Sequence, residues 1–355
     1  MRLRPFARTG LYSALLGAAV PFAAIQVAAF AQPAGTPSSP NDGPAQSLLQ
    51  ANAALQAGEA DKALTLLSPL PASGPGLAQA HNLVCRVRLT LEQWDAAATE
   101  CEQAVQLDAQ HSDFHLWLGR ALGQKAAHAS FLNAFSLAKR TRAEFEEAVR
   151  LNPRNAEALS DLGNFYRQAP GVVGGGVDKA QQIAGQLDKV DPGRAHHLRG
   201  TIAEQQKDFT AAESEYKQAI AASQHAAPEW SSLAGFFSRR QRFPDMETAI
   251  HSAATAAQHD KQSSAALYDS AGLLIESKQD PTLAASLLAN YLSSSSKTED
   301  APAFIAHLRL ARLKLQSGDA AGADRERTAA LAMAHEYKPA QEFKSQESTH
   351  QDARF

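Results

Sequence analysis

Between about Ala45 and Pro339 apolar residues return every three or four positions, the spacing that lines one face of an α-helix. Runs of Val and Ile are scarce, so there is little material for a sheet. The stretch 144–166 shows the unit. Phe145 and Ala148 share a helical face, and Asn152-Pro153 then stops the helix. Proline lacks an N–H and disfavours helix at the residue before it. Leu162, Gly163 and Tyr166 share a face of the helix that follows. The pattern predicts an all-α chain of paired helices. Small residues sit where two helices cross, and large apolar residues a turn away fill the gap.

The unit recurs. Its small first-helix position is Ala51, Cys85, Gly119, Gly163, Gly200, Ala234, Gly272 and Ala311 in turn, and Gly200 to Ala234 is 34 residues. Two units are expanded. Gly119 to Ala148 is 29 residues where the unit spacing is 19. About ten extra residues therefore lie around Ala126–Arg142, for longer helices to absorb. The fourth unit carries five more, within Ala169-Pro170-Gly171-Val172-Val173-Gly174-Gly175-Gly176.

The order F…A…P followed by L-G-x2-Y, at this period, resembles the tetratricopeptide (TPR) repeat family. The resemblance implies an α-solenoid, a right-handed superhelix of about eight helical hairpins with the first helix of each lining a concave groove. It also implies a protein or peptide partner held in that groove. One hairpin cannot bury its own apolar face and must stack on its neighbours.

The N-terminus has another character. Met1–Arg8 is basic, Leu11–Phe30 is apolar, and Ala29-Phe30-Ala31 places small residues at both key positions of a cleavage site. Residues 1–31 are expected to be a secretory signal peptide. Residues 32–44 then form a Pro-rich disordered leader, 45–340 the solenoid and 341–355 a polar tail. The expected compartment is the periplasm or cell envelope of a Gram-negative-type bacterium. No later stretch reaches the roughly 18 apolar residues of a spanning helix, so no stable membrane insertion is expected after cleavage. The chain carries −3 overall, and residues 1–31 hold three arginines and no acid, so the remainder carries −6. An acidic chain without basic clusters argues against nucleic-acid binding.

Cys85 and Cys101, the two cysteines present, face each other across the second unit. In an exported protein they are expected to form a structural disulfide. His81, His115, His196 and His307 align with Trp230 and Tyr268. They read as half-buried rings filling one recurring slot. Stacked helix pairs hold them too far apart to share a metal ion.

Binding candidates lie on the groove. Arg86 and Arg120 repeat at one groove position with Asn164 next in line, and Arg167 and Arg239 lie a turn further on. This resembles the family's use of Lys, Arg and Asn to hold a carboxylate, except that the lysine expected before the asparagine is Ser160. An arginine fork suits a peptide carboxylate. The loop with Gly174, Gly175 and Gly176 lacks the Lys-Ser/Thr pair and preceding strand of a phosphate loop. It reads as a loose connection that could touch a ligand at the groove edge. No catalytic motif, metal site or cofactor is expected. Two alternatives remain at this point. One is a small-ligand or lipid binder that uses Phe131, Leu132, Phe135 and Leu137. The other is an enzyme with a site between the 126–142 insertion and the 171–176 loop.

Overall fold

The computed structural model describes residues 42–68, 73, 74 and 76–344. The expected signal peptide, most of the leader and the end of the tail lie outside the described residues. Eight antiparallel hairpins follow one another: α1 Asp42–Gln56 with α2 Ala60–Leu67, α3 Leu77–Thr90 with α4 Trp94–Leu107, α5 Ser112–His128 with α6 Phe131–Leu151, α7 Ala156–Gln168 with α8 Val177–Leu187, α9 Pro192–Gln205 with α10 Phe209–Ala222, α11 Ala226–Arg239 with α12 Phe243–His259, α13 Ala265–Ser277 with α14 Pro281–Ser293, and α15 Ala303–Gln316 with α16 Ala320–Met333. A short α17, Lys338–Gln341, ends the array. No strand occurs among the described residues. The architecture is an all-α solenoid of stacked helical hairpins.

Local chemistry sets the helix ends. Asn155 accepts from the backbone N–H groups of Glu157 and Ala158 and so starts α7. Asp191 caps α9, with Pro192 at the first helical position. Inside six hairpins the turn is made by one residue in the left-handed region: Gly58, Glu92, Lys207, Gln241, Lys278 and Gly318. The third hairpin has no such residue, and in the fourth it is Gly174, set within a longer loop. The third absorbs its ten extra residues by lengthening α5 to 17 residues and α6 to 21. The fourth inserts a single 3-10 turn, Gly171–Val173.

The small residues stand at the crossings. A Cβ on Gly119 would lie 2.5 Å from the Phe145 ring, and one on Gly163 would lie 2.4 Å from Leu198. Ala234 is fully buried beside Phe237, Met246 and Ile250. Cys85 and Cys101 form a disulfide across the second hairpin.

The first helices of the hairpins pack on one another along the array, whereas each second helix packs on the hairpin that follows. The former make an inner layer and the latter an outer one. The expected groove, however, is not open. Phe304 and Leu308 of α15, Ala330 of α16 and Tyr337 beyond it pack into one core with Leu55, Leu67, Leu83 and Leu91 of the first two hairpins. The backbone at Gly58 runs so close to Ala303 that a Cβ there would lie 2.5 Å from its nitrogen. Eight hairpins complete one turn, and the last closes on the first. The result is a ring.

Candidate functional site

The inner layer of this ring carries charge that is already spent. Arg86 on α3 donates from Nε to Glu299 Oε2 at 2.9 Å, and its Nη2 reaches both Glu299 Oε1 and Asn52 Oδ1. Glu299 lies on the connection between α14 and α15, 213 residues away. Gln56 also donates to it at 2.8 Å. Arg120 on α5 donates from Nε to Asp161 at 2.6 Å and from Nη2 to Glu157 at 3.1 Å. Both guanidiniums lie over the Trp117 ring, at 4.9 and 4.4 Å from its centroid. The arginine fork expected to take a partner's carboxylate therefore holds carboxylates of its own chain.

The remaining groove residues form a second group. Arg239 makes a bidentate pair with Glu204 at 2.7 and 2.8 Å, and Tyr216 donates to the same carboxylate. Arg167 is half-buried, and its Nε has no partner among the described residues. Burial pushes its guanidinium down from its ordinary range, and nearby Arg239 adds to this. Asn164 is half-buried on the same helix. The five residues thus split between two clusters rather than forming one strip.

A polar cavity lies at the N-terminal ends of α9, α11 and α13. Asp191, which caps α9, Arg194 of α9, His225, which precedes α11, Glu229 of α11, Asp269 of α13, and Asp300 line it. Its volume is about 60 Å³, enough for a few waters at roughly 10–15 Å³ each. Arg194 donates from Nε to Asp191 at 2.9 Å, while its buried Nη1 has no partner among the described residues. Asp300 is pushed up to about 8. Desolvation dominates that shift; Glu299, Glu157 and Asp161 add to it and Arg120 opposes it. Desolvation also raises Glu157, against the pull of Arg120. No group of three His, Cys, Asp or Glu among the described residues is placed to hold a metal ion.

Sequence reasoning paired Arg86 with Arg120 through their 34-residue spacing but missed their acceptors. Glu157 and Asp161 sit one to two turns into α7 and carry a weak signal, acids on an inner face. Glu299 and Asp300 lie in a connection with no period and carry none.

The recurrent histidines need a correction. They are not simply rings filling a slot. Each donates from Nδ1 to a glutamate on the second helix of its own hairpin: His81 to Glu100, His115 to Glu144, His196 to Glu215 and His307 to Glu326, at 2.7, 2.7, 2.8 and 2.7 Å. The separation is 19 residues in three hairpins and 29 in the expanded one. That regular spacing was visible in the sequence. His115 also has Nε2 3.1 Å from the Ala109 carbonyl, so both ring nitrogens face acceptors. Burial opposes its charge, but Glu144 and Ala109 outweigh burial and raise its pKa.

The insertion and the glycine loop do meet, through apolar contact. Ala138 of α6 packs on Ala169 and Val173, with Phe135 and Phe165 alongside. Gly174, at φ +93°, leaves room for Arg142, which donates to the Val173 carbonyl at 3.3 Å. A Cβ on Gly175 would lie 1.8 Å from the Ala169 carbonyl oxygen. Both glycines are thereby accounted for by packing, while Gly176 opens α8 with nothing near its Cβ position. Beyond this junction Phe131, Leu132 and Val172 stand exposed, at 62%, 80% and 70%.

No family model matches the chain. The mouse (Mus musculus) Superkiller complex protein 3 is 30% identical over 126 residues, which is 35% of this chain and 8% of that protein. The match thus spans only a small part of that relative. Among solved structures the chain is similar to TTC0263, a thermophilic TPR protein of Thermus thermophilus, with a TM-score of 0.46, 17% identity, and coverage of 55% of this chain and 98% of that one. It is also similar to MamA, with a TM-score of 0.37, 19% identity, and coverage of 46% and 89%.

Proposed function

We propose, starting from a TPR solenoid closed into a ring, that the chain is an exported scaffold that binds protein partners and does no chemistry of its own. The observation that carries this reading is the state of the inner face. Arg86 and Arg120 are neutralised by Glu299, Asp161 and Glu157 and lie only 13% and 9% exposed. A peptide entering there would have to displace buried ion pairs that the chain already satisfies. Partner contact then falls on the outer helices and on the rim. Export is supported by the basic, apolar and A-x-A order of residues 1–31 and by the paired cysteines, which suit an oxidising compartment.

A photo-crosslinking residue placed at exposed outer positions, Gln218 on α10 and Thr255 on α12, and at the inner Asn164 separates the surfaces. Cross-links to an envelope protein from the outer positions support the ring-scaffold reading. Cross-links from Asn164 alone would return the site to the groove.

A second reading, a small-ligand site, is favoured by the polar cavity around Asp300. It would be carried by a thermal shift with small amines that Asp300→Asn abolishes. The enzyme alternative between the insertion and the glycine loop finds no such support, since those segments meet through apolar side chains.

A further inference from the structure

The third hairpin is longer than its neighbours at one end only. Its α5 and α6 have 17 and 21 residues, against 13 or 14 in α3, α4, α7, α9, α10 and α11. Gly119 meets Phe145 as the other crossings do, and Asn152 ends α6 on schedule. The additional residues therefore all lie at the turn between α5 and α6. Three to four more residues in α5 and about seven in α6, at 1.5 Å each, carry that turn roughly 5–10 Å past the rim on which the neighbouring turns sit.

This spur is layered along its length. Its tip is apolar: Phe131 and Leu132 open α6 and are exposed, and Val172, on the glycine loop that packs on α6, is exposed as well. Its shaft is cationic. Lys125 stands a turn back on α5, and Lys139 and Arg140 two turns back on α6. No acid occurs between Asp113 and Glu144. Lys139 lies over the Phe135 ring at 4.5 Å, and Lys179 reaches the Gly174 carbonyl. Lys125 and Arg140 hold Asp95 and Glu102 of α4 at 2.7 and 2.6 Å. Those pairs are open to solvent, with Asp95 87% exposed, and such pairs hold their partners weakly.

We propose that this spur is a peripheral docking site for an anionic lipid surface. The order of its chemistry matches the depth profile of a bilayer. Large apolar side chains enter the acyl boundary to roughly 5–10 Å, and long basic side chains behind them reach the phosphates. Anionic headgroups compete for Lys125 and Arg140 against solvent-exposed carboxylates. Lys139 needs no such exchange. Seated this way, the ring stands on the membrane by one edge and leaves its outer helices free for protein partners. Among the described residues no helix is long and apolar enough to cross a bilayer, and the proposed attachment is to one leaflet.

The test is co-sedimentation of the protein lacking residues 1–31 with vesicles of phosphatidylglycerol and phosphatidylcholine, and with phosphatidylcholine alone. The wild type is expected to bind the anionic vesicles and to be released by salt. Phe131→Ser with Leu132→Ser should lose at least about tenfold of that binding without any change in thermal unfolding, because both residues are exposed. Lys139→Glu should weaken it as well. Leu132→Trp adds a direct reading of insertion, as a blue shift in fluorescence on anionic vesicles alone. Absent binding, equal binding to neutral vesicles, or full binding by the double serine variant would each overturn the proposal. So would a protein partner that cross-links at Leu132 in lipid-free solution.

Discussion

Two kinds of junction hold this ring together. At the crossings within hairpins, small residues meet large ones across short stretches of chain, as Gly119 meets Phe145 and Gly200 meets Tyr216. At the seam, the last hairpin and the connections flanking it meet the first two hairpins across 213 to 274 residues, as in Arg86 with Glu299, Arg88 with Glu336 and His335 with Asp61. The crossings set a small residue against a large apolar one, and four hairpins add a His–Glu pair between their two helices. The seam adds to its apolar core a rim of charge pairs and an inner ion cluster. Crossings can form as each hairpin folds, since their partners are near in sequence. The seam can form only when all eight hairpins are stacked, and it then ties the array into a single cooperative unit instead of a chain of neighbours.

The largest expected effect lies at the seam. Glu299→Ala leaves Arg86, which is 13% exposed, with Asn52 as its remaining hydrogen-bond acceptor among the described residues. Removing one partner of a buried pair costs about 3–5 kcal/mol. Urea denaturation should show that loss. Amide exchange should show it localised, with protection falling first in α1, α15 and α17. Uniform loss across the array would mean that the ring is not held by this contact.

The inner cluster gives the seam a pH dependence of its own. Asp300 is held near 8, mainly by desolvation. A carboxyl raised in the folded state binds its proton more tightly there than in the unfolded chain. Its stabilisation is complete below the ordinary carboxylate range and is lost as pH rises through about 8. Asp300→Asn should remove that decline, which has a limiting slope of about 1.4 kcal/mol per pH unit. Glu213, Asp260, Glu326 and Glu336 act in the opposite sense. Each is lowered in the fold, so each loses stabilisation in acid below its ordinary range. His115, raised, loses its stabilisation as pH rises, in the same direction as Asp300. The difference between wild type and Asp300→Asn from about pH 5 to 8.5 isolates the one carboxyl. Parallel curves would refute its assignment.

At a crossing the expected change is smaller and purely steric. Gly119→Ala puts a Cβ 2.5 Å from a ring that cannot bend away. Overpacking of this kind costs about 1–3 kcal/mol, offset by about 1 kcal/mol of helix propensity. Gly123→Ala, one turn along, meets only Thr141 at 3.6 Å and should stabilise. Opposite signs in thermal melts would separate packing from propensity on a single helix.

What could be read in advance follows the same division. The hairpins, the expanded third and fourth units and the pairing of Cys85 with Cys101 were legible, because each rests on contacts within one repeat length. The His–Glu pairs were legible for the same reason, once glutamates 19 residues on are sought. The seam was not. Phe304, Leu308 and Tyr337 look like ordinary interior residues of the last repeat, and nothing in their spacing points to Leu55 or Leu83. Closure depends on how small rotations accumulate over eight hairpins, and no local pattern records that sum. For the same reason Arg86 and Arg120 could be recognised as paired groove residues while Glu299, their chain's own occupant of that face, could not.

The smallest effect concerns a turn position that both kinds of junction share. Gly58 and Lys278 both end the first helix of a hairpin in the left-handed region, at φ 78° and 56°. A side chain costs roughly 1–2 kcal/mol in that conformation, and glycine escapes the cost but loses more freedom on folding. Lys278 therefore carries strain that its packing does not require, and Lys278→Gly should stabilise the protein by about 0.5–1 kcal/mol. At the seam the same residue type answers a second demand, because the Ala303 backbone leaves no space for a Cβ at Gly58. Glycine is thus optional at one turn and required at the other, although their local conformations agree. A gain in urea midpoint for Lys278→Gly, with the slope unchanged, would confirm that turn strain is independent of ring closure. A loss would mean that the Lys278 side chain contributes to the fold beyond its backbone.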